Sequence, residues 1–320
     1  MKPNYILLGL LAVLTLAACG GGVPQAGNAG AGQTPTAGSA QMRTVRHAMG
    51  ETQVPAVPRS VVVLDTGELD SAIALGVKPV GAVEALPGAQ FLSYIADKTE
   101  GVENVGTIEE PNLEKIAALR PDLILSSKVR HEDIYPQLSV IAPTVFTETV
   151  GVVWKENFMK HAEALGKSDL ARELMAQYDR RTAEFRQKNK VPEDFEVSVV
   201  RFLADQVRLY QKGSFVGTVL EDAGLARPPS QRNPNETWLE ANKERIDDLD
   251  GDVMFLTHYG PAEKTPLQQF RDDQLWSRLD VVKQGKVYEV PDDYWMLGIG
   301  IGAANKVLDD LEEYVIEGRE

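Results

Sequence analysis

Two stretches of this chain match each other in register, and they constrain its fold more than any other feature. NLEKIAALRPDLIL begins at Asn112 and NKERIDDLDGDVMF begins at Asn242, an offset of 130 residues (242 − 112). Asn, Glu, Ile, Leu and Asp coincide, where ordinary composition gives roughly one chance identity. Each copy predicts a short helix, ended at Pro121 or Gly251, and then a buried strand. The repeat therefore predicts two similar α/β lobes.

Strands alternate with helices on both sides of one long helical stretch. This alternation predicts mostly parallel sheets in an N-terminal lobe over residues 44–150 and a C-terminal lobe over residues 191–320. Between them, residues 151–190 have apolar residues at helical spacing, and the stretch from Ser168 to about Lys188 predicts about 20 residues of helix, which span roughly 30 Å. The predicted fold class is α/β, with two Rossmann-like lobes joined by one long backbone helix.

The first 43 residues predict an exported and tethered protein. Residues 1–18 have the short apolar run of a signal peptide, and Leu16-Ala17-Ala18-Cys19 resembles the lipobox of bacterial lipoproteins. Cys19 is the only cysteine, so we expect lipidation there and no intramolecular disulfide. Residues 19–43 are mostly small and polar, as in a flexible tether. The expected location is the cell envelope, anchored to a membrane and facing the periplasm or the exterior.

Several stretches, taken in order, resemble one family of transport proteins. They are SVVVLDTGELDSAIALGVKPVG, GTIEEPNLEKIAALRPDLIL, VRHEDIYPQLSVIAPTVF, VRFLADQVRLY, GDVMFLT and GKVYEVPDDYWMLGIG. Together they cover nearly all of residues 44–317 and resemble the helical-backbone substrate-binding lipoproteins of ABC importers, especially the ferric-siderophore and ferric-citrate binders. The resemblance implies capture of a ferric chelate and its delivery to a two-fold permease dimer with its ATPase.

The repeated acidic residues have two interpretations. Glu114 and Glu244 each follow an Asn that can cap a helix, and an acid in the first turn favours the helix dipole. Each also lies about 200° around the helix from the buried Ile two residues on, so each is predicted to face solvent. The resemblance implies that these two glutamates dock onto arginines of the permease subunits.

Basic residues at predicted strand ends are the candidate ligand contacts. A ferric chelate of this kind is commonly anionic, whereas the protein has a formal net charge of −14, so cations must be placed locally. This acidity also argues against a nucleic-acid partner. Ligands of open α/β sheets bind at the carboxyl ends of strands. The candidates, which also fit the family's segments, are Arg130, His131, Arg201 and Arg208.

Aromatic and polar residues at the same strand ends are weaker candidates. Aromatic walls suit a chelate with apolar spacers. Trp295 is the preferred aromatic contact. The others are Tyr210, Tyr259, Thr66 and, less strongly, His258, Tyr294 and Glu68.

Other functions remain as alternatives. Haem would favour an axial His258 or Tyr259, and cobalamin fits the same fold. An exported α/β hydrolase lacks the G-x-S-x-G motif, and Gly298 to Ala303 lies too near the C-terminus for a dinucleotide fingerprint. It is interpreted as a tight turn into the last helix. A structural lipoprotein would leave the arginines unexplained.

The histidines lack metal-ligand spacing, with His161 expected at the surface. We therefore expect no cofactor, no metal site and no catalysis.

Overall fold

A computed structural model describes residues 41–85, 88, 91–188 and 190–316 of the 320-residue chain. The predicted signal peptide, Cys19 and nearly all of the tether lie outside these residues. The strands are β1 (Met42–His47), β2 (Gly50–Pro55), β3 (Val61–Val63), β4 (Gly81–Glu84), β5 (Glu103–Thr107), β6 (Leu123–Ser127), β7 (Thr144–Thr147), β8 (Val197–Phe202), β9 (Val207–Tyr210), β10 (Trp238–Ala241), β11 (Val253–His258) and β12 (Val287–Glu289).

Helices separate most of these strands. They are α1 (Thr66–Ala74), α2 (Ala96–Thr99), α3 (Leu113–Ala118), α4 (Lys128–His131), α5 (Tyr135–Ile141), α6 (Trp154–Leu165), α7 (Ser168–Lys188), α8 (Phe215–Asp222), α9 (Leu267–Arg271), α10 (Asp280–Lys283) and α11 (Ile301–Leu311). Short 3-10 segments include Lys243–Leu249, and π-helical turns follow at Asp293–Leu297 and Glu312–Ile316. In the described part of the chain, no helix combines the length and apolarity needed to cross a bilayer.

The N-terminal lobe is built on a five-stranded parallel sheet with the order β5-β4-β3-β6-β7. Its central strand β3 and the neighbouring β6 are wholly buried, as expected for apolar strands covered on both faces. An antiparallel hairpin of β1 and β2 precedes the sheet. This hairpin was not predicted from the sequence, and it begins two residues before the predicted lobe boundary at Thr44.

The C-terminal lobe has a mixed sheet with the order β10-β9-β8-β11-β12. β8, β11 and β12 are parallel, while β9 is antiparallel to both of its neighbours. The two segments predicted to be paired strands, around Arg201 and Arg208, are therefore confirmed as β8 and β9. With the sheet of the first lobe, this confirms the predicted α/β class with mostly parallel sheets.

The lobes are joined by α6 and the 21-residue α7. Gly166 ends α6 with a left-handed φ of 70°, and a Cβ there would lie 2.3 Å from the carbonyl oxygen of Ala56. α7 ends at Lys188, where the sequence pattern predicted its end. The connecting helix is therefore confirmed.

The two lobes share one hydrophobic core. A single cluster of buried side chains includes Val63 of the first sheet, Phe255 of the second, and Trp154 and Tyr178 of the connecting helices. The outer faces of the two sheets bury separate, smaller clusters. Because apolar burial stabilises by roughly 25 cal/mol per Å², this continuous core resists separation of the lobes.

The last helix, assigned from sequence to the C-terminal lobe, also binds the N-terminal lobe. Asp70 of α1 is 1% exposed and accepts hydrogen bonds from the backbone N–H groups of Gly302 and Ala303, both at 2.9 Å. Tyr94 donates its hydroxyl to the same carboxylate at 2.6 Å. A Cβ on Gly300 would lie 2.3 Å from Asp70 Oδ1, so this glycine allows the close approach. We call this contact the Asp70 latch.

The two copies of the sequence repeat fold as predicted in most respects. Asn112 Oδ1 accepts from the N–H of Lys115 at 2.9 Å, and Asn242 Oδ1 accepts from the N–H of Glu244 at 3.0 Å. Ile116 and Ile246 are both fully buried. The copies differ in that the first is α-helical and the second is a 3-10 segment.

Candidate ligand-binding site

A row of polar side chains crosses the carboxyl end of the second sheet. Arg201 on β8 lies directly opposite Arg208 on β9, and on its other side it is in register with Thr257 on β11. Directly opposed residues of neighbouring strands project from the same face of a sheet. Two like charges directly opposite each other on neighbouring strands are destabilising, so the pair of arginines does not serve to stabilise the sheet.

Arg201 is 6% exposed and neutralised. Its Nε and one terminal nitrogen donate to the two oxygens of Asp292 at 2.7 and 2.5 Å, and the other terminal nitrogen donates to the Tyr210 hydroxyl at 3.2 Å. Thr257 donates its hydroxyl at 2.9 Å to Asp292 Oδ1, the oxygen that also accepts from Arg201 Nε. A bidentate arginine–carboxylate pair is the strongest form of this contact, so Arg201 is held rigidly.

Arg208 is the cation of the row that makes no ion pair among the described residues, although Glu240 lies opposite it on β10. Its guanidinium carbon lies 4.1 Å from the ring centroid of Trp238, in a cation–π stack. Its Nε is buried without a hydrogen-bond partner, and no carboxylate of the described residues lies within ion-pair distance of it. Stacking holds the guanidinium in place without cancelling its charge. Arg208 can therefore receive a carboxylate from a ligand without first losing a protein partner.

Arg130 lies at the corresponding edge of the first sheet. It follows β6, and its Nε donates to Asp65 Oδ2 at 2.9 Å, while its side chain remains 37% exposed. Asp65 follows β3, is 2% exposed and also accepts from the N–H of Thr66. Burial raises the pKa of Asp65, Glu68 raises it further, and Arg130 partly offsets both. Arg130 thus has one fixed nitrogen and accessible surface beyond it.

Tyr259 is the half-buried aromatic side chain of the row. Its ring centroid lies 5.0 Å from the guanidinium carbon of Arg201. Tyr210 is 7% exposed, and its hydroxyl accepts a hydrogen bond from Arg201. Its ring therefore presents little surface to a ligand. The adjacent His258 has both ring nitrogens engaged, one with the carbonyl oxygen of Gly260 at 2.6 Å and one with Glu289 at 3.0 Å. Neither nitrogen is free to act as an axial ligand.

Three predicted contacts lie inside the protein. The Trp295 indole is completely buried, stacks on Phe255 at 4.6 Å and donates to Asp310 at 2.7 Å. His131 is 3% exposed, with its nitrogens 2.6 Å from Ser126 Oγ and from the carbonyl oxygen of Ile108. This corrects the sequence placement of both at the cleft.

Thr66 is the third of these residues. It is 3% exposed and donates its hydroxyl to the carbonyl oxygen of Leu297 at 2.6 Å, across the boundary between the lobes. The strand-end positions were predicted correctly, but the direction in which each side chain turns depends on packing. Thr66, like Trp295 and His131, presents almost no surface to a ligand.

His161 was expected at the surface, and that expectation is wrong. It is 3% exposed on α6, with Nδ1 2.9 Å from Ser71 Oγ and Nε2 3.6 Å from Glu68 Oε1. Glu68, a weak candidate for ligand contact, is itself 1% exposed. Both line a very small cavity, of about 10 Å³, between the lobes. Glu68 and His161 therefore belong to the interior of the lobe junction.

The two repeated glutamates lie on exposed surface, one in each lobe. Glu114 is in the first turn of α3, and Glu244 is in the first turn of the corresponding 3-10 segment. Neither carboxylate takes part in an ion pair among the described residues. Both are therefore available for a charged partner.

Sequence reasoning missed the partners of the arginines. Asp292, Asp65 and Trp238 fix Arg201, Arg130 and Arg208, respectively. Asp292 and Asp65 follow strands, so the sequence pattern could have placed them at the same edge as the arginines. Trp238 begins a strand that the sequence pattern did not reveal.

The fold and this strand-end row together define a solute-binding protein of the two-lobed kind. Within the described ranges, no group of three or more His, Cys, Asp or Glu side chains is arranged to hold a metal ion. The family model for periplasmic binding proteins matches residues 61–294, and the chain belongs to that family.

The relatives of the chain agree with this assignment. It is 39% identical over 325 residues to the probable siderophore-binding lipoprotein YfiY of Bacillus subtilis strain 168, covering 98% of both chains. It is 31% identical over 262 residues to the achromobactin-binding periplasmic protein of Dickeya dadantii strain 3937, covering 80% of this chain and 86% of that one. The crystal structure of Staphylococcus aureus SirA complexed with staphyloferrin B superposes with a TM-score of 0.77 at 35% identity, covering 85% and 98%.

Proposed function

We propose that this protein captures an anionic ferric siderophore, or ferric citrate, between its lobes and delivers it to an ABC permease. It acts outside the cytoplasm, held to a membrane through lipidated Cys19, and carries out no chemical conversion of the ligand. The relatives named above support the ligand class. In this proposal the protein contributes a preformed receptor and a docking surface.

The observation that carries the proposal is the charge state of the arginine row. Arg201 is already neutralised by Asp292, whereas Arg208 beside it makes no ion pair among the described residues. A ligand carboxylate would supply the missing partner, and hydrogen bonds to charged groups contribute about 1.5–3 kcal/mol. Arg130 of the first lobe is paired with Asp65 through its Nε, but its side chain is 37% exposed, so its remaining guanidinium nitrogens would contact an anionic chelate from the other side.

Delivery rests on the two exposed glutamates. With one carboxylate in each lobe, Glu114 and Glu244 fit a permease of two-fold symmetry that presents one arginine to each. Charge pairs at the rim of an interface affect association and its salt dependence more than intrinsic affinity. Docking is therefore separable from ligand capture.

The test is a fluorescence titration against ferric staphyloferrin B, ferric citrate, bare ferric ion, haem and cobalamin. Trp238 is a built-in reporter, because it is partly exposed and stacked on Arg208. We expect tight binding of at least one ferric chelate and weak binding of bare ferric ion. Calorimetry on the same samples checks that the signal reports binding. Micromolar binding of cobalamin or haem with no response to any ferric chelate would overturn the proposal.

A further inference from the structure

In each lobe, the aspartate that orients a ligand arginine is followed directly by a residue that contacts the opposite lobe. In the N-terminal lobe, Asp65 accepts from Arg130 Nε at 2.9 Å, and the adjacent Thr66 donates its hydroxyl to the carbonyl oxygen of Leu297 at 2.6 Å. Asp65 Oδ1 also accepts from the backbone N–H of Thr66 at 2.7 Å. The orientation of Arg130 is therefore tied to the C-terminal lobe.

The C-terminal lobe repeats this arrangement in the opposite direction. Asp292 pairs with Arg201, and the adjacent Asp293 contacts Ser93 of the N-terminal lobe. Oδ2 of Asp293 accepts from the backbone N–H of Ser93 at 2.8 Å and from its hydroxyl at 2.5 Å. The orientation of Arg201 is therefore tied to the N-terminal lobe.

One π-helical turn connects the two cross-lobe contacts. It begins at Asp293 and ends at Leu297, so its first and last residues are the two that meet the N-terminal lobe. The N–H of Gly298 donates to the carbonyl oxygen of Asp293 at 2.6 Å and closes the turn. Such turns are rare and frequently lie at functional sites. The ligand arginines of the two lobes are thus joined through hydrogen bonds and a single turn of backbone.

Stability alone does not account for Asp293. Both bonds from Ser93 go to its Oδ2, while its Oδ1 is buried without a hydrogen-bond partner. A buried polar atom left unpaired is unfavourable, and its presence in a folded protein calls for a further role. The position of Asp293, next to the partner of Arg201, indicates that this role concerns the ligand site.

We propose that Thr66 and Asp293 are positioning residues: they set the distance between Arg130 and the arginine row, and the site thereby favours chelates whose anionic groups reach both lobes. The inference rests on the proposed function, because it concerns which ligands that site accepts. Neither residue touches the ligand in this proposal. Each acts through the aspartate–arginine pair beside it.

A fixed distance between the lobes favours only a ligand that is held by both of them. With the two contacts intact, the arginines are already correctly spaced when the ligand arrives, so binding has less freedom to remove. Without the contacts, the correct spacing is one of several, and the apparent dissociation constant rises in proportion as that spacing becomes less populated. The shared core limits this effect, because it still holds the lobes together.

The test uses Thr66→Val and Ser93→Ala, separately and together. Val cannot donate to the carbonyl oxygen of Leu297, and Ala at position 93 removes the hydroxyl bond to Asp293 while leaving the backbone bond in place. Dissociation constants for ferric staphyloferrin B are measured by calorimetry. We expect the double variant to bind about threefold to tenfold more weakly than wild type, the range for one neutral hydrogen bond. Far-ultraviolet circular dichroism checks folding.

The conservative variants Thr66→Ser and Ser93→Thr are the matched controls. Both keep the hydroxyl, so both should bind within about twofold of wild type, less than the loss of one neutral hydrogen bond. Ser93 is exposed, so Ser93→Ala provides the test by itself if Thr66→Val does not fold.

A second comparison separates positioning from general loosening. The double variant is remade in an Arg130→Ala background, where the arginine row of one lobe holds the ligand alone. There the two substitutions should change the dissociation constant by less than about twofold, because no spacing between arginines remains to be set. An equal loss in both backgrounds, or no loss while Arg130 is present, would overturn the inference and leave the proposed function standing. Failure of wild type to bind ferric staphyloferrin B or ferric citrate would overturn the proposed function and this inference with it.

Discussion

The Asp70 latch gives a prediction about how the two lobes are held together. Asp70→Ala should lower the free energy of unfolding by about 3–5 kcal/mol, because it leaves three hydrogen-bond donors at the lobe junction without their acceptor. Three donors lose their acceptor in this variant: the N–H groups of Gly302 and Ala303 and the Tyr94 hydroxyl. Each buried donor left unsatisfied costs about 1–3 kcal/mol, and partial entry of water reduces the sum.

The measurement is urea denaturation followed by far-ultraviolet circular dichroism. With a slope near 3 kcal/mol per molar urea, the loss corresponds to a midpoint lowered by about 1 M or more. Asp97→Ala is the matched control, because Asp97 is an exposed aspartate of α2 with no hydrogen bond or ion pair in the described part of the chain. We expect the control to change stability by less than about 0.5 kcal/mol.

A double-mutant cycle identifies the contact itself. A Cβ on Gly302 would lie 2.8 Å from Asp70 Oδ2, so Gly302→Ala should destabilise wild type strongly. The same change should cost less in the Asp70→Ala background, because the oxygen it meets is gone. A loss below about 1 kcal/mol for Asp70→Ala, or strict additivity with Gly302→Ala, would refute the reasoning that this carboxylate joins the lobes.

Three further predictions concern the arginine row, docking and acid stability. Arg208→Ala should weaken chelate binding about tenfold to a hundredfold with little loss of stability. Arg201→Ala should also destabilise folding, because Asp292, 11% exposed, is left without its ion-pair partner. Exposed Arg278→Ala is the control, and unchanged affinity in both variants would place the ligand elsewhere. The double variant Glu114→Ala, Glu244→Ala should leave chelate affinity unchanged but strongly reduce uptake of radiolabelled iron in cells. Changing both glutamates to Arg should reduce uptake further. Normal uptake by the double variant would leave the two glutamates with a role in helix capping alone. Burial raises the pKa of Asp310, so the stability that its protonated form contributes is present below the pKa of the unfolded chain, about 3.9, and is lost as pH rises through the pKa of the folded protein. Asp310→Asn should therefore gain stability relative to wild type as pH rises from about 3 to about 7, measured by urea denaturation. A difference in unfolding free energy that stays constant with pH would contradict this sign.

The sequence alone determined the local architecture. The duplicated helix and strand, the alternation that gives parallel sheets, the end of α7 at Lys188 and the pairing of the Arg201 and Arg208 strands were all predicted from short-range patterns. Such patterns suffice because periodicities of 3.6 and 2 residues report directly which face of an element is buried. The buried Ile116 and Ile246 and the exposed Glu114 and Glu244 follow from the same rule.

The tertiary structure decided which charges are compensated and which side chains are accessible. The carboxylates of Asp292 and Asp70 meet partners 91 and 232 residues away in sequence, a separation that no local pattern reports. The position of Trp295 after a strand did not reveal that its ring turns inward onto Phe255. The sequence pattern predicts the position of a side chain within its strand or loop, but close packing in the shared core determines the direction in which the side chain points. For that reason only the assembled fold distinguishes Arg208, which makes no ion pair among the described residues, from Arg201, whose charge Asp292 neutralises.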